Sequence, residues 1–210
     1  MLRLIITDDH AIVRHGIKQI LNEGLENAEI AEAQNADEAM HLVRQGGWNL
    51  IVLDISMPGR SGLEVIQEIR NCTLPPRILV LSMHPEDQLA HRVLKAGVDG
   101  YLTKDSAPEE LITAVRKILG GGKYISPAFA EKMVSKLQSG AGEQPHDTLS
   151  NREYEVMCLI ASGKTVSQIA EMLSLSVKTI STYRTRILEK MGMQTNAELT
   201  HHAVRHQLVE

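Results

Sequence analysis

The chain has 210 residues, of which 43% are hydrophobic and 23% charged, with a net charge of −4; these proportions exclude a disordered or fibrous chain, and the length suits two domains of about 100 residues. Its two cysteines, Cys72 and Cys158, lie far apart inside helical patterns, which argues against a disulfide framework and for a reducing compartment, the cytoplasm. The first residues lack a signal peptide's long apolar region and no apolar run approaches the roughly 18 residues of a membrane span, so neither secretion nor a membrane partner is expected.

Strand-like and helical patterns alternate along residues 1–122. Strands are predicted at Leu2–Thr7, Glu29–Ala33, Leu50–Leu53, Ile78–Leu81 and Gly100–Leu102, with helices at 11–23, 36–45, 62–71, 86–96 and 108–120 between them. Such alternation predicts a doubly wound, five-stranded parallel sheet covered on both faces. Leu-Ile-Val-Leu at 50–53 and Ile-Leu-Val-Leu at 78–81 have the unbroken apolarity of strands buried on both sides.

In an open parallel sheet, ligands bind at the carboxyl ends of the strands. There the first strand is followed by Asp8 and Asp9 and the third by Asp54; Ser82 ends the fourth, and Lys104 follows the fifth. Three carboxylates gathered at one edge repel each other unless a cation intervenes, and hard oxygen ligands suit magnesium. The pattern points to phosphoryl chemistry. Asp54 is the nucleophile, Asp9 and Asp54 ligate Mg2+ with Asp8 in support, Lys104 neutralises the phosphoryl oxygens, and Ser82 hydrogen-bonds the new phosphate. His10, His15 and His84 lie near this edge but lack the spacing of a histidine metal site.

Breakers at Gly120–Gly122 and in Ser-Gly-Ala-Gly-Glu-Gln-Pro at 139–145 bracket a helical stretch near 127–137; they predict a helix-containing linker that ends in a tether. Helix starts follow closely: Ser150-x-x-Glu153, Thr165-x-x-Gln168, Ser176, and Thr195-x-x-Glu198 predict four short helices. The expected layout is an α/β domain at 1–120, a linker at 121–147 and an all-α domain at 148–210.

Charge is unevenly divided. Residues 1–122 hold 12 Lys+Arg against 17 Asp+Glu, or −5, whereas residues 149–210 hold 7 against 6, or +1. Within that second segment Lys178, Arg184, Arg186 and Lys190 gather in one predicted helix, a local asymmetry suited to phosphate. At about 100° per residue, Ile180, Tyr183, Ile187, Leu188 and Met191 share one side, and Lys178, Ser181, Thr182 and Thr185 the other, with Thr179 and Arg186 on its flank. The preceding helix carries an apolar stripe of Val166, Ile169, Ala170 and Leu173, and Leu175-Ser176 makes the turn. Helix, turn and cationic helix form a helix-turn-helix.

The first constellation, Asp8-Asp9, Leu-Asp54-Ile-Ser-Met-Pro58-Gly59, Ser82 and Lys104, resembles the signature of response-regulator receiver domains, which have a flavodoxin-like fold. The resemblance implies phosphorylation of Asp54 by a sensor histidine kinase, Mg2+ also held by the carbonyl of Ser56, and Tyr101 as an aromatic that changes rotamer with Ser82. Many receivers carry a proline, often cis, directly after the lysine; here Asp105 follows. The second constellation, Leu149-Ser-Asn-Arg-Glu153, Ile169-Ala and Ser176 through Arg186, resembles the LuxR-type DNA-binding domain. The whole chain is similar to the NarL/FixJ family of response regulators, and Glu-Leu-Thr-His at 198–201 with Ala-Val-Arg-His at 203–206 resembles its GacA/UvrY subgroup.

That resemblance implies a transcription regulator on double-stranded promoter DNA and not an enzyme, with at most slow autodephosphorylation. It places Lys178, Thr179, Ser181, Thr182, Thr185 and Arg186 at the DNA, Lys190 near phosphate, and Ala197–Gln207 in a dimerising last helix. Phosphorylation is expected to release a covered recognition helix and to favour a homodimer on two half-sites. Two other readings differ in chemistry. A haloacid-dehalogenase-like phosphohydrolase would need a second aspartate two residues after the nucleophile, where Ser56 stands, and a receiver acting only as a partner surface would leave the acidic pocket unexplained.

Overall fold

The computed structural model describes residues 1–57, 60, 62–83, 86–106, 108–138, 144–206 and 208–209. Pro58, Gly59, His84, most of the expected tether (139–143) and Gln207 lie outside the described residues. The chain divides into two compact units, Met1–Ser135 and Lys136–Glu210.

In the first unit β1 (Leu2–Thr7), β2 (Ala28–Ala33), β3 (Leu50–Leu53), β4 (Arg77–Ser82) and β5 (Gly100–Thr103) form one sheet in the order β2-β1-β3-β4-β5. Every pairing is parallel. Five helices alternate with them: α1 (Ala11–Gly24), α2 (Ala36–Gln45), α3 (Gly62–Arg70), α4 (Glu86–Lys95) and α5 (Pro108–Leu119). Side chains alternate across a strand, and two cores result. Ile5, Ile51, Leu53, Ile78, Val80 and Tyr101 face one way, among residues of α2, α3 and α4. Leu4, Ile6, Leu50, Val52, Leu79, Leu81 and Leu102 face the other, among residues of α1 and α5.

Register then assembles the sheet edge. Thr7 pairs with Leu53, so Asp8 and Asp54 emerge side by side, and Asp54 N–H donates to Thr7 O at 2.9 Å. Ser82 pairs with Thr103, and Lys104 N–H donates to Ser82 O at 2.8 Å. β4 and β5 each run one residue beyond the predicted end, which brings Ser82 into the sheet beside the lysine loop. No cis peptide bond occurs among the described residues, so the Lys104–Asp105 bond is trans.

The stretch expected to be a linker begins as part of this unit. Tyr124 bridges Gly100 in parallel; its carbonyl accepts from Tyr101 N–H at 3.0 Å and its N–H donates to Asp99 O at 2.9 Å. Phe129, in α6 (Pro127–Gln138), is buried in the same core as Tyr101, with Ile125 and Met133 packed against it.

The second unit contains a 3-10 turn (Pro145–Thr148) that the sequence patterns did not reveal, then α7 (Asn151–Ala161), α8 (Val166–Met172), α9 (Val177–Met191) and α10 (Asn196–Arg205). Each of the four helices starts at the expected cap: Ser150, Thr165, Ser176 and Thr195 accept from the backbone N–H three residues on. Such caps contribute about 1 kcal/mol each. Ile169 and Ala170 of α8, Ile180, Ile187 and Leu188 of α9, and Leu199 and Ala203 of α10 are buried. The predicted apolar stripes are therefore the core.

Candidate functional site: an acidic pocket and a polar recognition helix

At the carboxyl edge of the sheet, Asp8 and Asp54 are 1% and 2% exposed. Between them lies the Lys104 ammonium, its side chain 9% exposed, 2.6 Å from Asp8 Oδ2 and 2.6 Å from Asp54 Oδ2. The contact with Asp54 is an aligned hydrogen bond; Asp8 Oδ2 is in ionic contact without that alignment. Burial of Lys104 works against its charge, but its close contacts with Asp54 and Asp8 outweigh burial and raise its pKa above the ordinary lysine value. The ammonium is thus locked in its charged form.

The remaining carboxylate oxygens are oriented from the backbone. Ser56 N–H donates to Asp54 Oδ1 at 2.8 Å, and His10 N–H donates to Asp8 Oδ1 at 2.8 Å. Asp9, partly exposed, has Oδ1 3.0 Å from His10 Nδ1. Asp8, Asp9 and His10 can each offer a ligand atom within 4.8 Å of the others. His10 therefore joins the acidic group, whereas His15 stays exposed on α1.

Counted by charge, Asp8, Asp9 and Asp54 contribute three negatives and Lys104 one positive, leaving two unbalanced negatives around a largely buried pocket. Buried charge without a partner is costly. Oxygen donors with that excess fit a hard divalent cation. Ser82 and Tyr101 are both fully buried and lie on neighbouring strands.

Glycine is required on the pocket's far side. A Cβ at Gly62, the first residue of α3, would collide with Ile55 Cα and Cβ, directly after Asp54. This packing was invisible in the sequence, because it joins a loop and a helix start that share no local pattern.

In the second unit, Leu173 ends α8 and Ser174 takes a left-handed backbone, φ 53°, which reverses the chain into α9. On α9, Lys178, Ser181, Thr182, Thr185 and Arg186 are exposed and Thr179 is partly exposed, as predicted. The hydroxyls of Ser181, Thr182 and Thr185 donate to the carbonyls of Val177, Lys178 and Ser181 at 2.9–3.1 Å. Turned inward, they present oxygen lone pairs, and in the threonines methyl groups, to solvent. Sequence reasoning passed over Val177, half-exposed at the start of this helix and adjacent to Lys178.

Lys190 is placed differently from the others. Its ammonium lies 2.6 Å from Oε2 of buried Glu153, the carboxylate that also accepts Ser150 N–H at 2.7 Å. Burial pushes the Glu153 carboxyl up, but the bonds from Lys190 and Ser150 outweigh it and hold the group below the usual carboxylate range. Arg184 is likewise engaged within the unit, donating to Asn196 Oδ1 at 2.6 Å.

Residues 4–116 match the response regulator receiver domain family, and residues 147–203 match the bacterial regulatory proteins of the luxR family. Response regulator UvrY of Escherichia coli K12 is 36% identical over 209 residues, covering 99% of this chain and 96% of that protein. Response regulator GacA of Pseudomonas aeruginosa is 34% identical over 213 residues, covering 100% and 99%. Among solved structures, Salmonella typhimurium RcsB is similar with a TM-score of 0.70 at 27% identity over 97% of both chains. A Salmonella enterica RcsB bound to promoter rprA in the presence of the phosphomimetic BeF3− gives 0.65 at 28% identity, over 96% of this chain and 98% of that one.

Proposed function

From a chain that belongs to the response regulators, transcription regulators with a receiver and a LuxR-type DNA-binding domain, we propose that Asp54 accepts a phosphoryl group from a sensor histidine kinase and that α9 reads the outcome on promoter DNA. The Lys104 ammonium, 2.6 Å from both Asp54 Oδ2 and Asp8 Oδ2, carries this reading. It places fixed positive charge where phosphoryl oxygens arrive and couples the acceptor to the neighbouring acid.

An Asp54 oxygen attacks phosphorus of a phosphoimidazole; the P–O bond forms as the P–N bond breaks, and the imidazole leaves with a proton from water. Ser56 N–H and Lys104 hold the two carboxylate oxygens in a fixed plane beforehand, so little orientation is lost on reaction. As the phosphoryl group takes over the ammonium, Ser82 turns its hydroxyl to the phosphate, and Tyr101 on the next strand changes rotamer with it. Asp8, Asp9, Asp54 and the Ser56 carbonyl would hold Mg2+, with His10 beside them. The ion supplies charge neutralisation at the phosphoryl oxygens. The phosphoryl group is held as a signal and lost by at most slow autodephosphorylation.

The DNA reading assigns Lys178 and Arg186 to phosphate or guanine, and Thr179, Ser181, Thr182 and Thr185 to base edges in the major groove. Lys190 reaches phosphate only by leaving Glu153. A homodimer on two half-sites follows from the two-fold geometry of helix-turn-helix proteins. No described helix is long and apolar enough to cross a membrane, and the cytoplasm is the proposed location. Incubation with a small acyl phosphate and Mg2+ tests the acceptor: mass spectrometry is expected to find one phosphoryl group on the wild type and none on Asp54→Ala, and equal labelling of both would overturn the assignment.

A further inference from the structure

The second unit holds a group of histidines that DNA reading does not use. His146 lies in the 3-10 turn, His202 lies on α10, and His206 caps the end of that helix four residues on. His146 Nδ1 and His202 Nε2 are 3.0 Å apart. Ring centroids are separated by 5.2 Å (146–202), 5.5 Å (146–206) and 4.3 Å (202–206). His146 is 8% exposed, and three imidazoles therefore share one partly dry contact between the turn and the last helix.

A hydrogen bond between two imidazole nitrogens needs one N–H and one lone pair, so it survives only while at least one ring is neutral. When both are charged, N–H faces N–H. The His206 ring, tilted against His202, brings a third imidazole into the contact, and like charges this close in a partly buried contact repel strongly.

Charged groups of both signs face these rings. From α10 itself, Arg205 and His201 add positive charge near His202. From the turn, Asp147 is the facing carboxylate, Oδ1 3.9 Å from His146 Nε2, and its Oδ2 already accepts Gln144 N–H at 2.9 Å. From α7, Tyr154 presents a ring 6.4 Å from His146, and Glu153 is committed to Lys190 and Ser150.

We propose that His146, His202 and His206 form a proton-sensitive latch: neutral, they fasten α10 to the 145–148 turn beside α7, and on acidification they charge and release it. Burial holds the His202 imidazole below the ordinary histidine range, and the charges of His206, Arg205 and His201 push the same way. A base whose folded pKa is depressed stabilises fully above its unfolded value, about 6.5, and loses that contribution as pH falls from there through the folded value. The latch is closed at neutral pH. Because Arg184 of α9 is fastened to Asn196 at the start of α10, release of α10 also loosens the support of the recognition helix.

Hydrogen exchange on the full chain tests this, with protection factors corrected for intrinsic rates at pH 7.5 and 5.5. Protection over 196–206 is expected to fall by roughly tenfold or more in the wild type, with no matching fall in β1–β5. His202→Leu, which keeps bulk without charge, and His206→Gln, which keeps polarity without charge, are each expected to lose most of that pH dependence. Equal protection at both pH values in the wild type, or the full fall in both variants, would overturn the proposal.

Discussion

Lys104 Nζ stands 2.6 Å from Asp54 Oδ2, and the same ammonium touches Asp8 at the same distance. Lys104→Met keeps the stem and removes the cation between Asp8 and Asp54, leaving buried carboxylates to face each other. Removing one partner of a buried pair costs on the order of 3 kcal/mol. The unfolding midpoint in denaturant is expected to fall accordingly, and added Mg2+ to raise it more in the variant than in the wild type. An unchanged midpoint without Mg2+ would mean that the carboxylates do not depend on Lys104.

Gly62 lies against Ile55, next to the acceptor. Gly62→Ala forces backbone apart where α3 begins, and overpacking of this kind costs about 1–3 kcal/mol. Because Ile55 follows Asp54 directly, the rate of labelling by acyl phosphate is expected to fall together with stability. A variant with wild-type stability and labelling would show that the loop yields freely.

Glu153 gives the second unit an acid-sensitive contribution of its own. Its folded pKa is depressed, so its contribution is whole above the unfolded value, about 4.3, and disappears as pH falls through the folded one. Thermal melts of Glu153→Gln are expected to show a lower midpoint at pH 7, by an amount equivalent to about 1–3 kcal/mol, and a flatter decline below pH 4.5. Parallel acid declines in variant and wild type would exclude this carboxylate as the cause.

Lys178 and Lys190 differ in a way that DNA titrations can read. Lys178 is exposed on the helix face, and Lys178→Ala is expected to weaken binding and reduce the salt slope by about 0.9, the effect of one phosphate contact. Thr182→Ala is expected to cost about 1 kcal/mol of binding through a base-edge contact. Lys190→Ala, whose ammonium is held by Glu153, is expected to cost stability more than DNA affinity. Phosphorylation at Asp54 should be untouched in all three, and a larger affinity loss for Lys190→Ala than for Lys178→Ala would place the DNA on another face.

How much of this was readable beforehand depends on the range of the signal. Buried parallel strands write their apolarity locally, and all five were located within one residue at either end. Ser150, Thr165, Ser176 and Thr195 declared their helices because a cap and its partner are three residues apart. The convergence of Asp8, Asp54 and Lys104 was legible from sheet topology, since strand ends in such a fold share one edge. Other features depend on contacts between distant segments and leave no local pattern. Tyr124 joining β5, Lys190 turning to Glu153, and His146 meeting His202 across 56 residues are of that kind. The 3-10 turn was hidden for a related reason, as Pro145 read as the close of a flexible stretch.

The central claim is that the state of Asp54 is read by α9, and DNA affinity measured with and without phosphorylation tests it most directly. On a genomic fragment recovered by footprinting, acyl phosphate with Mg2+ is expected to tighten binding by the wild type, to leave Asp54→Ala unchanged, and to act on Lys178→Ala from a weaker baseline. Equal affinity of the wild type in both states, or the same tightening in Asp54→Ala, would contradict the account.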